Sequence, residues 1–307
     1  MIKAARVWGG TKSQGRAFGF LDGGRGMVGA LFGVLGVVVF SIFLSSEVVE
    51  AALSERQNAF QYVIWISTFL ISIVGVLVWY YMKLDNEIDK KSTINKLEFS
   101  QISTVIKLPA VWLLMLIILC AYVGYKLTDI FSLYAKEVMM YDEVESAQIG
   151  TSLQFIRPCV GILIGLLVDR YQTTLWLFIG FLLTTLGAVL YGLGLITSSY
   201  TLFFIFSVFI VATGVYSARA LYFAVMEKGK IPLVYTGTAV GIISLVGYTP
   251  DIFAGPIMGY LLDESPGITG HRHVFWMMAA FSLLGSIAAG YYHFLFHDKN
   301  IYPSLKQ

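Results

Sequence analysis

Long apolar runs alternate with short polar segments along almost the whole chain. A helix needs about 20 apolar residues to cross a hydrocarbon core about 30 Å thick, and eight runs reach that length. They lie at Phe18–Leu44, Phe60–Met82, Leu108–Tyr134, Ala147–Val168, Thr174–Ile196, Leu202–Val225, Leu233–Leu262 and Val274–Phe296. The pattern predicts an all-α integral membrane protein with eight transmembrane helices.

One polar stretch, residues 83–107, interrupts this pattern with a mixture of lysines and acids and no sustained apolar face. Such a stretch is typical of a solvated linker. We therefore expect two spans in residues 1–83, a cytoplasmic linker at 84–107 and a six-helix unit at 108–307.

The basic residues between the spans predict the orientation, because cytoplasmic loops carry an excess of Lys and Arg. If both termini are cytoplasmic, fourteen Lys and Arg lie on the inner side, and only Arg56, Lys136 and Arg272 lie on the outer side. We expect a protein of a bacterial inner membrane with both termini in the cytoplasm.

Composition agrees with solvation by lipid. The 307 residues are 57% apolar and 13% charged, whereas soluble domains are about 25% charged, and the mean hydropathy is +0.74. A net charge of only +2 does not indicate a nucleic-acid-binding protein. The short loops leave no room for a soluble catalytic domain, and no set of residues predicts an enzyme site, a cofactor or a metal centre. His271 and His273 are expected in an outer loop facing solvent, with a zinc site as the alternative.

Charged residues inside the spans recur with a period of three spans. The second, fifth and eighth spans have none, whereas the others carry Asp22, Arg25, Lys126, Asp129, Arg157, Arg219 and Asp251. An ionisable group in hydrocarbon is costly unless it faces a partner or a wet cavity. The pattern therefore indicates groups of three helices in which one helix faces lipid and two border a polar cavity, and this arrangement favours a transporter.

Glycines with GxxxG spacing lie in the charged spans, where they allow close approach of helices. They occur at Gly15, Gly19 and Gly23, at Gly29 and Gly33, at Gly161 and Gly165, at Gly237 and Gly241, and at Gly255 and Gly259. The lack of a preceding strand and of a following GKS or GKT argues against a nucleotide-binding loop.

Three segments resemble the major facilitator superfamily of secondary transporters. Gly165 to Arg170 resembles its G-x-x-x-D-R loop signature, Lys12 to Gly19 resembles the start of its fifth helix, and Ile231 to Gly259 resembles its eleventh. The resemblance implies twelve helices in two halves around a central solute site that opens alternately to each side. Residues 108–296 would form a complete second half. Residues 18–82 would be the fifth and sixth helices, so we expect the first four to be missing.

Arg157 is the main candidate for binding solute, because a guanidinium offers forked donors to an anion. The alternative is an ion pair with Asp129 or Asp251. Arg25, Tyr125 and Lys126 are further candidates, although Arg25 stands three residues after Asp22 and the two charges could neutralise each other.

Asp129 and Asp251 are candidate ion-coupling residues, with structural pairing of Lys126 and Asp129 as an alternative. Asp169, Arg170 and Arg219 are candidate gating residues. We expect Arg219 near the cytoplasmic end of its span, which favours a gating or snorkelling role over solute binding.

These observations predict alternating-access transport of a small polar solute, expected to be anionic, with H⁺ or Na⁺ as coupling ion. The lipid bilayer is the expected surrounding, and the chain by itself is expected to be an incomplete transporter that needs the missing helices or a second chain. The rival hypotheses are a membrane-embedded enzyme and a nonfunctional structural fragment. Neither the solute nor the direction of transport follows from the sequence.

Overall fold

The structure is a computed structural model that describes residues 1–43, 53–81, 99–169 and 172–296. Within these ranges the regular elements are helices, and no strand occurs among them. The α-helices are α1 (Ile2–Gly9), α2 (Gln14–Phe43), α3 (Leu53–Tyr81), α4 (Phe99–Ile106), α5 (Pro109–Lys126), α6 (Ile130–Glu137), α7 (Glu143–Val168), α8 (Thr173–Gly192), α9 (Thr201–Leu221), α10 (Thr236–Gly247), α11 (Pro250–Glu264) and α12 (Ile268–Phe296).

Seven stretches of the described helices are long and apolar enough to cross a membrane. They are Gln57–Tyr81, Pro109–Glu137, Glu145–Val168, Thr173–Gly192, Thr201–Leu221, Leu233–Glu264 and Ile268–Phe296. They match the second to eighth predicted spans. The first predicted span coincides with α2, a 30-residue helix that is not among the seven, so the count of eight remains a prediction.

Two predicted spans are interrupted. The third consists of α5, a 3₁₀ turn at Leu127–Asp129, and α6. The seventh changes from α10 to α11 at Tyr248 and Thr249, immediately before Pro250. Proline suits the first turn of a helix because its missing N–H is not needed there. Lys126 lies at the first interruption and Asp251 directly follows the second.

The contacts divide the chain into two compact units, one of residues 1–26 and 99–307 and one of residues 27–98. In the larger unit α8 packs against α9 and α12, and α5 packs against α10 and α12. In the smaller unit the ring of Phe43 stacks on Tyr62 at 4.2 Å. The predicted linear domain bounds remain a prediction, and residues 84–98 of the predicted linker lie outside the described residues.

Glycines bring α2 and α7 into close contact. A Cβ atom at Gly19 would lie 2.6 Å from the carbonyl oxygen of Gly161, and one at Gly165 would lie 2.8 Å from that of Gly15. No side chain fits at this distance, so only glycine allows the two backbones to meet. By contrast, Cβ atoms at Gly237, Gly241, Gly255 and Gly259 would meet nothing within 4 Å in the described part of the chain.

Candidate functional site

Three charged side chains from three helices meet in the larger unit. Asp22 of α2 accepts a hydrogen bond at its Oδ1 from Nη2 of Arg157 on α7, at 3.0 Å. The Nε of Arg219 on α9 lies 3.4 Å from the same oxygen. The side chains of Asp22, Arg157 and Arg219 are only 8%, 15% and 11% exposed. We call these three residues the charged triad, and its formal charge is +1.

Two tyrosines of α5 lie against the arginines of the triad. The Cζ of Arg219 is 3.7 Å from the centre of the Tyr125 ring and 5.2 Å from that of Tyr122. Arg157 lies 5.3 Å from the centre of the Tyr125 ring, and its Nη1 donates to the Tyr125 hydroxyl at 3.4 Å. A guanidinium over an aromatic face is attracted by the ring quadrupole, so Tyr125 helps to hold both arginines.

Several polar atoms of the charged triad are buried and make no hydrogen bond within the described residues. They are Oδ2 of Asp22, Nε of Arg157, and Nε and Nη1 of Arg219. Buried polar groups are normally paired, because an unpaired one keeps its full desolvation cost. The triad therefore offers donors and one acceptor for a bound group.

A second ion pair lies at the two helix interruptions. The Nζ of Lys126, at the end of α5, is 2.7 Å from Oδ1 of Asp251 at the start of α11. The Tyr122 hydroxyl also donates to the Asp251 carboxylate, at 3.1 Å from Oδ2. Tyr122 thus touches both the triad and this pair. Lys126 therefore pairs with Asp251 and not with Asp129, the alternative partner. Asp129 is exposed and lies close enough to Lys126 for their charges to interact.

Two contacts join the predicted cytoplasmic ends of the helices. Nε of Arg16 lies 3.1 Å from Oδ2 of Asp169, which follows α7. Burial raises the pKa of the Asp169 carboxyl, whereas the backbone N–H and the charge of Arg16 act in the opposite direction. The attraction between the two charges is therefore partly offset by desolvation of the carboxylate.

The second contact is made by Arg6 of α1, whose side chain is 1% exposed. Its guanidinium donates to Thr236 Oγ1 at 2.6 Å, to Glu227 Oε2 at 2.9 Å and to the carbonyl oxygen of Ile231 at 2.9 Å. Gln14 Nε2 donates to the Arg6 carbonyl oxygen at 2.9 Å, so α1 is fixed at both its side chain and its backbone. We call Arg6, Glu227 and Thr236 the Arg6 clamp.

The structure changes the partners of two predicted site residues. Asp22 does not pair with Arg25, because it points at Arg157 and Arg219; Arg25 is exposed, and its guanidinium lies 2.8 Å from Sδ of Met1. Arg219 does not snorkel to the membrane surface, because its head is buried against Asp22 and Tyr125. Arg170 lies outside the described residues.

The predicted outer loop with His271 and His273 is part of helix α12, which begins at Ile268. His271 is fully buried rather than solvent-facing, and its Nε2 lies 2.8 Å from Oε2 of Glu137. The hydropathy signal failed here because four polar residues (Thr269, His271, Arg272 and His273) stand in the first turns of an otherwise apolar helix. Among the described residues no group of His, Cys, Asp and Glu is arranged to hold a metal ion.

Sequence reasoning missed the Arg6 clamp entirely, and it missed Arg219 as a neighbour of Arg157. Arg6 and Glu227 are 221 positions apart, so no local spacing relates them. A signal for Arg219 did exist, since it is a basic residue inside an apolar span. Its partner Asp22 could not be assigned without knowing how α2 and α9 are arranged.

Comparisons with known proteins agree with this architecture. Two Escherichia coli (strain K12) proteins are similar to this chain. Inner membrane protein YihN is 25% identical over 299 residues, and the match covers 94% of this chain and 68% of YihN. Inner membrane protein YqcE is 25% identical over 288 residues, covering 92% and 65%. The chain thus spans about two thirds of the length of these relatives. No solved structure matches.

The family profile gives the assignment directly. Residues 1–254 match the Major Facilitator Superfamily, and this range includes α1 to α10 and the start of α11. The two relatives are inner membrane proteins by name, and the seven apolar helical stretches suit a multi-pass protein of such a membrane. This chain belongs to the Major Facilitator Superfamily.

Proposed function

We propose that the protein takes part in secondary active transport of a small anionic solute by alternating access, with the charged triad as the solute site. Membership of the family supports membrane transport as the general function, and it favours this function over a membrane-embedded enzyme. The solute class is our inference from the triad.

The observation that carries the proposal is that two buried arginines share one aspartate. Burying a charge costs on the order of several kcal/mol per ion, and a partner must offset this cost. Asp22 offsets one positive charge of the triad and leaves the other uncompensated, with guanidinium N–H groups that have no acceptor among the described residues. A solute anion would supply the missing charge and acceptors.

Roles for the remaining residues follow from their contacts. We propose that Arg157 and Arg219 bind the anion and that Tyr125 positions them. Asp251 and Asp129 are the candidate ion-coupling acids, and the Lys126–Asp251 pair would exchange partners when H⁺ or Na⁺ binds. Arg16 and Asp169 would form a cytoplasmic gate, which suits a pair whose attraction is partly offset by desolvation.

The test measures whether anions bind to the purified chain by the rise that they cause in its unfolding temperature, Tm. A ligand at about 100 times its Kd raises the free energy of unfolding by about 2.7 kcal/mol, so malate, gluconate or inorganic phosphate should raise Tm while neutral sorbitol should not. Arg157→Ala should abolish the rise, and Arg157→Lys should weaken it because the fork is lost while the charge stays.

Arg272→Ala is the matched control, because Arg272 lies outside the triad and donates to the carbonyl oxygen of Gly192. Its anion-induced rise in Tm should equal that of the wild type. An anion response that survives in Arg157→Ala would show that the triad is not the solute site.

A further inference from the structure

The charged triad presents an unused acceptor as well as unused donors. Oδ1 of Asp22 faces both arginines, whereas Oδ2 of the same carboxylate is buried without a donor in the described structure. A solute that brought only an anionic group would satisfy the arginines and leave Oδ2 unpaired. It would also place its own negative charge beside that of Asp22, which is unfavourable at short range.

We infer that the solute is a hydroxy acid: its carboxylate binds the N–H groups of Arg219 and Arg157, and a hydroxyl on the neighbouring carbon donates to Oδ2 of Asp22. This inference rests on the proposed anionic solute and adds the chemistry beside the anionic group. The hydroxyl satisfies the buried acceptor and separates the two carboxylates.

Charge decides between a hydroxyl and an ammonium group as the donor. The triad has two positive charges and one negative charge, so one monovalent anion makes the site neutral. An α-amino acid carries an additional positive charge and would leave the site at +1. A buried site of a membrane protein strongly favours the neutral sum, and a hydroxyl donor gives that sum.

The contact that the solute would replace is the one between Arg219 and Asp22. At 3.4 Å from Nε to Oδ1 it is the longer of the two arginine contacts of Asp22, and it lacks hydrogen-bond geometry. The 3.0 Å hydrogen bond from Arg157 to Asp22 can stay. Tyr125, stacked 3.7 Å from Cζ of Arg219, keeps the guanidinium in place while it changes partner.

The experiment compares acids that differ by one substituent. The affinity of the purified full chain is measured by titration calorimetry for propionate, lactate and alanine, and for butyrate, 2-hydroxybutyrate and 2-aminobutyrate, at constant ionic strength. In each series the hydroxy acid should bind about tenfold or more tightly than the parent acid, since a buried acceptor left unpaired has about that effect. The amino acid should bind no better than the parent acid, and 1,2-propanediol should not bind.

A variant isolates the acceptor. In Asp22→Asn an amide NH2 group replaces one carboxylate oxygen, so the unpaired acceptor is lost and the ratio of the affinities for the hydroxy acid and the parent acid should fall towards one. If this variant does not fold, the ratio of the wild-type affinities for the hydroxy acid and the parent acid decides the question by itself.

The outcomes separate the two proposals. Binding of neither acid in both series overturns the anionic solute itself. Equal binding of lactate and propionate, and of 2-hydroxybutyrate and butyrate, leaves the anionic solute standing and overturns the hydroxy acid. Tighter binding of alanine and 2-aminobutyrate than of lactate and 2-hydroxybutyrate assigns the donor to an ammonium group and also overturns the hydroxy acid.

Discussion

The Arg219 guanidinium depends on two kinds of contact, a carboxylate at its edge and an aromatic ring at its face. A cation–π contact in a desolvated place contributes about 2 kcal/mol. A carboxylate contact of 3.4 Å without hydrogen-bond geometry holds the side chain less firmly. The orientation of Arg219 therefore depends largely on the ring of Tyr125.

A substitution at Tyr125 can separate the ring from its hydroxyl. Tyr125→Leu removes the ring, so the affinity for lactate should fall about 10- to 30-fold, the equivalent of a desolvated cation–π contact. Tyr125→Phe keeps the ring and loses only a 3.4 Å hydroxyl contact with Arg157, so its affinity should stay within about threefold of the wild type. Titration calorimetry on the purified variants measures both.

The control for these variants is Tyr62→Leu, because Tyr62 stacks on Phe43 in the smaller unit and has no part in the triad. Its affinity for lactate should match the wild type. Equal losses in Tyr125→Leu and Tyr125→Phe would assign the effect to the hydroxyl and refute the positioning role of the ring.

At the scale of the helices, the interruptions place charges where helix ends favour them. Lys126 lies in the last turn of α5 and Asp251 in the first turn of α11. A helix carries partial negative charge at its C-terminus and partial positive charge at its N-terminus. Each side chain is thus stabilised by its own helix end, and the 2.7 Å pair joins the two interrupted spans.

The contact between α2 and α7 gives a prediction with an internal control. Gly19→Ala would place a Cβ atom 2.6 Å from a carbonyl oxygen of α7, so the helices must separate and the free energy of unfolding should fall by about 1–3 kcal/mol. Gly24→Ala meets no described atom within 4 Å, and alanine favours a helix over glycine by about 1 kcal/mol. Thermal unfolding in detergent compares the two.

The opposite signs matter more than the magnitudes, because both substitutions add one methyl group to the same helix. We expect a lower Tm for Gly19→Ala and an equal or higher Tm for Gly24→Ala. Equal stability of Gly19→Ala and the wild type would mean that α2 and α7 do not meet at this distance.

At the scale of the whole molecule, the Arg6 clamp and the Arg16–Asp169 pair lie together at the predicted cytoplasmic end. The first joins α1 to the segment between α9 and α10, and the second joins α2 to the end of α7. Both contacts must break if these ends separate during alternating access. The triad would then be reached from the cytoplasm.

Removal of Arg6 should make the cytoplasmic end open more often. Ala224, beside Glu227, is 1% exposed, so a cysteine there in a Cys120→Ala, Cys159→Ala background should react slowly with a membrane-impermeant maleimide. Arg6→Ala removes three hydrogen bonds from a charged group and should raise the labelling rate about tenfold. Labelling is measured in inside-out vesicles.

Lys3→Ala is the matched control, because Lys3 is an exposed cation of the same helix, and it should leave the labelling rate unchanged. Right-side-out vesicles should show no labelling, since the basic residues predict that this end is cytoplasmic. Unchanged labelling in Arg6→Ala would contradict a closing role for the clamp.

The sequence alone determined the class, the helices and the family resemblance of this protein. Hydrophobic runs such as Thr174–Ile196 are local properties of the chain, and the structure has a helix at Thr173–Gly192. The cost of charges in hydrocarbon likewise identified Asp22, Arg157 and Asp251 as residues that need partners or water. Close packing by Gly15, Gly19, Gly161 and Gly165 also followed from their spacing.

Only the tertiary structure decided which charges meet. Spacing along one helix predicts neighbours three or four residues apart, and it offers Asp22 with Arg25 and Lys126 with Asp129 as alternative pairs. The actual partners are 135 positions apart for Asp22 and Arg157, and they lie on different helices. Pairing across helices depends on how each helix is rotated and where it is interrupted, and packing of the whole bundle sets both.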